Sequence, residues 1–227
     1  MRASLLTDIA ARFSTLGGVF LTEPTVLAAR LKSVRGLVFD WDGVFNRGVK
    51  GAGVASTFSE ADSMGTNMLR YGLWRARDAL PVCAIITGEA NASAELFTER
   101  EHFHALYQGV RNKAEAIEQF CSEFGLERDE LACVFDDIND LAMVSGCAVR
   151  ILVRRSSSAL LQELAVREGL CDYLTASEAD AHAVREAAEM LLGLMGAFDA
   201  VVQSRTVVDD DYRRYFAARQ AIATTAR

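Results

Sequence analysis

Proline is nearly missing from this chain: among 227 residues only Pro24 and Pro81 occur. That leaves no material for a Pro-rich linker or a disordered tract, and the chain is expected to be folded nearly throughout. No C-x-x-C pair occurs either. The five cysteines, Cys83, Cys121, Cys133, Cys147 and Cys171, are odd in number and far apart, which argues against a disulfide framework and a zinc knuckle. They read instead as small buried hydrophobes in a reducing cytoplasm. An excess of cationic residues is absent as well, the net charge being −7, so nucleic acid is not the expected partner. Long apolar runs are lacking: Asp8 and Arg12 interrupt the N-terminal stretches, and 13–22 is too short and polar to span a bilayer. No membrane or export signal is expected. His102, His104 and His182 show no metal-ligand spacing.

What is present is an alternation of short apolar runs with longer helical-period stretches, the mark of βα units and a largely parallel sheet. Strands are expected over 36–40, 82–86, 104–107, 133–135 and 149–153, and helices over 63–77, 90–100, 112–124, 157–168 and 181–195. Asn112 and Ser157 are candidate N-caps. The fold class is therefore α/β, a Rossmann-like parallel sheet with helices on both faces. Pro24 and Gly196 are candidate junctions, dividing the chain into an N-terminal arm (1–33), a core (34–196) and a C-terminal tail (197–227). The glycines of 43–53 open no helix, so a small β-hairpin flap is expected there rather than a phosphate cradle.

Four polar signals lie at or just beyond the C-terminal ends of expected strands, the edge where open parallel sheets bind ligands. They are Asp40-Trp41-Asp42-Gly43, Thr87-Gly88, Lys113, and Asp136-Asp137-Ile138-Asn139-Asp140. Phosphoryl transfer asks for this set: an oxygen nucleophile, donors for the phosphoryl oxygens, a proton donor for the leaving oxygen, and a divalent cation. Clustered carboxylates repel unless a cation sits among them, and all-oxygen surroundings suit Mg²⁺. Taken singly, each signal has a plainer reading: a turn, a solvated lysine, an acidic helix start. Four on one sheet edge are improbable as coincidence. A receiver domain also combines acidic residues, Thr and Lys, but there the acidic pair precedes the Thr and Lys, whereas here an acidic cluster follows them.

D-W-D-G-V, I-T-G, N-K and F-D-D-I-N-D resemble the four ordered motifs of the haloacid dehalogenase superfamily over about residues 34–192. The resemblance implies that Asp40 is the nucleophile, Asp42 the general acid and base, and Thr87, Gly88 and Lys113 the phosphate-binding residues. It also implies that Mg²⁺ is held by Asp40, the backbone carbonyl of Asp42, and Asp136, with Asp137 and Asp140 in support.

Only 44 residues separate Asp42 from Thr87 and 25 separate Thr87 from Lys113, too few for an inserted cap. The text between the motifs is similar to one capless group, the 3-deoxy-manno-octulosonate 8-phosphate phosphatases and related domains of sialic acid synthesis. The matching stretches are F-S-E-A-D-S-M-G at 58–65, I-I-T-G at 85–88, L-Y-Q-G at 106–109, N-K at 112–113 and A-V-R-E at 183–186. This resemblance implies a sugar-acid phosphate substrate and a homotetramer whose subunits close each other's sites. Three departures bear on substrate: Glu89 where the group has Arg, Phe135 where it has Gly, and Ala179-Asp180-Ala181-His182 where it has a Gly-rich segment. The alternatives are a phosphatase for another small phosphomonoester and a catalytically weak homologue serving as a binding or assembly module. Tyr212, Tyr215 and Phe216, interleaved with Arg213, Arg214 and Arg219, are expected at a subunit interface.

Overall fold

The computed structural model describes residues 2–227 except Ala52 and Ala55, with side chains from Leu5 onward. Strands β1 (Val19–Phe20), β2 (Gly36–Phe39), β3 (Val82–Ile86), β4 (Ala105–Tyr107), β5 (Leu131–Phe135), β6 (Val149–Arg154), β7 (Tyr173–Glu178) and β8 (Thr225–Ala226) form one sheet. Its order is β1-β7-β6-β5-β2-β3-β4-β8, and only β1 runs antiparallel to its neighbour. The helices are α1 (Arg2–Leu16), α2 (Pro24–Arg30), α3 (Glu60–Arg77), α4 (Ala92–Arg100), α5 (Lys113–Phe124), α6 (Leu141–Val144), α7 (Ala159–Arg167), α8 (Ala183–Met195), α9 (Phe198–Val207) and α10 (Asp210–Gln220).

The central strands read as unbroken apolar runs because both sheet faces are covered. Leu37, Phe39, Cys83, Ile85, Ala132 and Val134 face one cluster of buried residues, while Val38, Ala84, Ile86, Cys133 and Phe135 face the other. Period-2 alternation thus supplies two cores from one sheet. All five cysteines are buried, as expected, and none is in a disulfide; Cys133 Sγ donates to Cys147 Sγ at 3.3 Å.

One face is held by α3 against α8. Gly65 lets the two backbones meet, since a Cβ there would lie 2.9 Å from the Arg185 Cα. The contact is also polar: buried Asp62 accepts from Ser59 Oγ at 2.6 Å and from the Arg185 backbone N–H at 2.9 Å, so it satisfies a helix-start donor of α8 from another helix. Glu186 returns the favour to the sheet, accepting from Tyr173 OH and the Ala176 and Ser177 N–H groups at 2.7–2.8 Å.

Several expectations change. No strand occurs in the described part of 43–54, so the β-hairpin is replaced by turns and coil closed by a single bridge between Asp42 and Asn46. Asn46 explains this: its carbonyl accepts from Gly43 N–H and its side chain from Gly48 N–H, which curls the glycine-rich run back on itself. Helix α7 begins after Ser158, not Ser157, and without a side-chain cap; Asn112 does cap α5, accepting from Ala114 N–H. Elements α1, α2, α9, α10, β1, β7 and β8 were not expected. Tyr215 and Arg219 turn inward on α10 rather than outward. Tyr215 packs 4.8 Å from Tyr71, and Arg219 pairs with Asn67 and buried Glu101. Among the described residues no helix is long and apolar enough to cross a membrane.

Candidate active site

Strand order reverses at β2: the chain continues through β3 and β4 on one side and through β5, β6 and β7 on the other. Such a switch point leaves a crevice at the C-terminal strand ends. Asp40 follows β2, Thr87 follows β3, Asp136 follows β5 and Arg155 follows β6. Lys113 opens α5, which leads from β4 into β5.

Trp41 orients the first pair. Its ring is fully buried and lies 5.0 Å from Phe45 and 5.6 Å from Phe97, within a cluster that includes Phe58. With that side chain driven into the core and the chain turning at Gly43, whose φ of +93° favours glycine, Asp40 and Asp42 both reach the crevice. Asp40 is anchored to β5 by its N–H, which donates to the Val134 carbonyl at 3.0 Å.

Every site residue expected from the sequence comes to this one cavity of about 460 Å³: Asp40, Asp42, Thr87, Gly88, Lys113, Asp136, Asp137 and Asp140. Lys113 Nζ donates to Asp40 Oδ1 and to Asp140 Oδ1, both at 2.5 Å. Asp140 Oδ2 accepts from the Asp136 and Asp137 N–H groups, which curls the acidic loop, and Asp137 accepts from Ile138 N–H at 2.7 Å. Asp137 therefore shapes the loop, while Asp140 stands in the charged centre itself. Glu89 lines the mouth and is exposed, and Phe135 is buried core. His182 caps α8 at φ +67°, bonded to Ser59 at 3.0 Å and away from the cavity.

Three cations lining this cavity escaped the sequence reading. Lys50 pairs with Asp42, Arg155 pairs with Asp136, and Arg111 lines the wall. Arg155 had a usable signal, since it follows a strand end; Lys50 had none, because a glycine-rich run does not disclose where its side chains fall.

Electrostatics mark the centre as a cation site. Burial, then repulsion from Asp140, pushes Asp40 up to about 6 against the pull of Lys113. Burial, then Asp40, pushes Asp136 up to about 8. Burial works against the Lys113 ammonium, but Asp40 and Asp140 outweigh it and hold its pKa above the ordinary lysine value. One oxygen each of Asp40, Asp136 and Asp140 lie within 4.8 Å of one another. Asp136 Oδ1 and Asp42 Oδ1 are buried without a hydrogen-bond partner among the described residues. Hard carboxylate oxygens with unused lone pairs fit Mg²⁺.

No family model matches the chain. Solved structures do. A putative haloacid dehalogenase superfamily (subfamily III A) hydrolase from Legionella pneumophila superposes with a TM-score of 0.66 at 22% identity, over 80% of this chain and 94% of that one. The chain has the haloacid dehalogenase fold. Other chains of this fold are equally similar. The 3-deoxy-D-manno-octulosonate 8-phosphate phosphatase of Moraxella catarrhalis, solved with magnesium, phosphate and KDO, gives 0.65 at 22% identity over 79% and 97%. A probable YrbI-family phosphatase of Pseudomonas syringae gives 0.65 at 25% over 80% and 97%.

Proposed function

We propose that this protein is a magnesium-dependent phosphomonoester hydrolase acting through an aspartyl phosphate, with residues 34–196 as its catalytic core. The carrying observation is that Lys113 bridges Asp40 and Asp140 inside the switch-point crevice. Structural likeness to phosphatases, one of them solved with magnesium and phosphate, supports the reading. In the first step an Asp40 carboxylate oxygen attacks phosphorus, the ester O–P bond breaks, and Asp42 delivers a proton to the departing alcohol oxygen. In the second, Asp42 takes a proton from water as that water attacks the aspartyl phosphate, and phosphate leaves with Asp40 restored. Lys113, Thr87 and the backbone at Gly88 stabilise the phosphoryl oxygens. Asp40, the Asp42 carbonyl and Asp136 would hold Mg²⁺, which would supply positive charge to offset the repulsion between nucleophile and phosphoryl group.

The substrate we favour is a sugar-acid phosphate such as 3-deoxy-D-manno-octulosonate 8-phosphate, which the Moraxella likeness supports. The cavity is open, so the small substrate gains its remaining contacts from a neighbouring subunit of a cytoplasmic homotetramer. The test is phosphate release from an aryl phosphate with and without Mg²⁺, followed by a panel of neutral sugar phosphates and keto-sugar-acid phosphates. Magnesium-dependent release supports the reading. Silence across the whole panel refutes it and favours a binding module.

A further inference from the structure

Lys113 serves Asp40 and Asp140, but it does not reach Asp136. The single side chain bonded to that carboxylate among the described residues is Arg155, whose Nη2 donates to Asp136 Oδ2. The other oxygen, Oδ1, is buried with no hydrogen-bond partner. We propose that Arg155 is a positioning residue for the cation site: by holding one oxygen of Asp136 it leaves the other free to meet the metal together with Asp40. The inference rests on the phosphatase reading only for the presence of a divalent cation.

The surroundings make Arg155 stiff enough for this task. Its carbonyl accepts from Ser158 N–H at 2.9 Å and from Gln162 Nε2 at 2.6 Å, and the next residue, Ser156, donates its N–H to Glu178 at 2.8 Å. The turn after β6 is thereby tied to α7 and to β7. On the far side the pair is walled by Gly43, where a side chain would collide with both Asp136 Oδ2 and Arg155 Nη2. The guanidinium therefore joins the turn after β6 to the acidic loop after β5. A partner bonded to the non-ligating oxygen fixes the direction of a ligand carboxylate, and losing such a partner typically weakens a metal site.

Simple charge reasoning predicts the opposite sign. Arg155 is a cation beside a cation site, so removing it would relieve repulsion and tighten metal binding. Its side chain is 36% exposed, however, which screens that repulsion, while Asp136 is 2% exposed, so its direction is set by its protein partner rather than by bulk solvent. Orientation wins on these numbers.

The experiment is Mn²⁺ binding to the full-length protein without substrate, followed by electron paramagnetic resonance, for the parent, Arg155→Lys and Arg155→Ala. We expect Arg155→Ala to weaken Mn²⁺ by about 10- to 100-fold, and Arg155→Lys to recover part of the loss. At saturating metal the KM for an aryl phosphate should stay within about twofold. Unchanged or tighter Mn²⁺ binding by Arg155→Ala overturns the proposal, as does a raised KM with unchanged metal affinity, which would make Arg155 a substrate contact. Should Arg155→Ala fail to fold, Arg155→Lys alone decides, because it keeps the charge and loses the fork. A parent that binds Mn²⁺ yet releases no phosphate refutes the phosphatase reading and leaves these binding curves readable; a parent that binds no Mn²⁺ refutes the inference.

Discussion

Asp40 carries the largest single share of the proposed chemistry, and its replacement separates catalysis from folding. Asparagine keeps the shape and the hydrogen bond from Lys113 but cannot attack phosphorus as an anion. Asp40→Asn is expected to lower phosphate release by about 10⁴-fold or more while its thermal melt still shows one cooperative transition; near-normal magnesium-dependent turnover would end the mechanism. Glu89 belongs to the same scale. It is exposed at the mouth, where its charge repels an anionic substrate. Glu89→Arg should raise kcat/KM on keto-sugar-acid phosphates relative to neutral sugar phosphates by about tenfold, and an unchanged ratio would remove Glu89 from the account of specificity.

At the scale of elements, the residue that leads into β4 is a histidine that behaves as a core residue. His104 Nδ1 accepts from the Cys83 backbone N–H at 3.1 Å, and its ring lies edge-on to Phe124 at 5.8 Å. Burial, aided by the charge of Arg70, depresses its pKa to about 4 from the ordinary 6.5. Between those values the unfolded chain binds the extra proton, so this contribution is whole above pH 6.5 and is lost as pH falls towards 4, amounting to about 3 kcal/mol. Asp40, raised to about 6, works with the opposite sign in the same window. The informative quantity is thus a difference: denaturant melts from pH 7 to 4 should show a steeper acid loss for the parent than for His104→Gln, and parallel curves would contradict the shift.

On the scale of the whole molecule, both ends of the described chain close the sheet. Strand β1 pairs with β7 at one edge and β8 with β4 at the other, each only two residues long, which limits edge-to-edge association. Helices α9 and α10 cover Tyr71 and Trp74, bury Val201 and Tyr215, and supply Arg219 to Glu101. Ending the chain at Gly196 would strip this cover and strand Arg70 and Glu101 at a new surface. We expect such a chain to melt at least about 10 °C lower or to aggregate; an unchanged melt would show α9 and α10 to be dispensable for stability. The proposed tetramer is accordingly tested on the full-length protein by light scattering, where a fully active monomer would refute it.

Local chemistry made the site legible in advance. The Asp-Trp-Asp-Gly motif, a strand-ending Thr-Gly and an acidic loop each announce themselves within a few residues, because the ends of buried strands switch abruptly from apolar to polar text. The central strands were legible for the same reason, being apolar on both faces. Strand β7 was missed because only Tyr173 and Leu174 of its six residues are large and apolar while Thr175 to Glu178 reads as polar text, although Thr175 is buried, and β1 and β8 are too short for any periodicity. Helix α10 looked like surface because its residues alternate aromatic with cationic, and only packing against α3 turns Tyr215 and Arg219 inward. Lys50 reaches the cavity from a segment with no signature of its own, and Arg155 from a strand end whose basic residue does not disclose which carboxylate it meets. Their partners, Asp42 and Asp136, lie 8 and 19 residues away in the chain. The sequence by itself determined which polar groups stand together and at which edge of which sheet; the tertiary structure alone decided which cations touch which carboxylates, since that depends on distances that no pattern along the chain encodes.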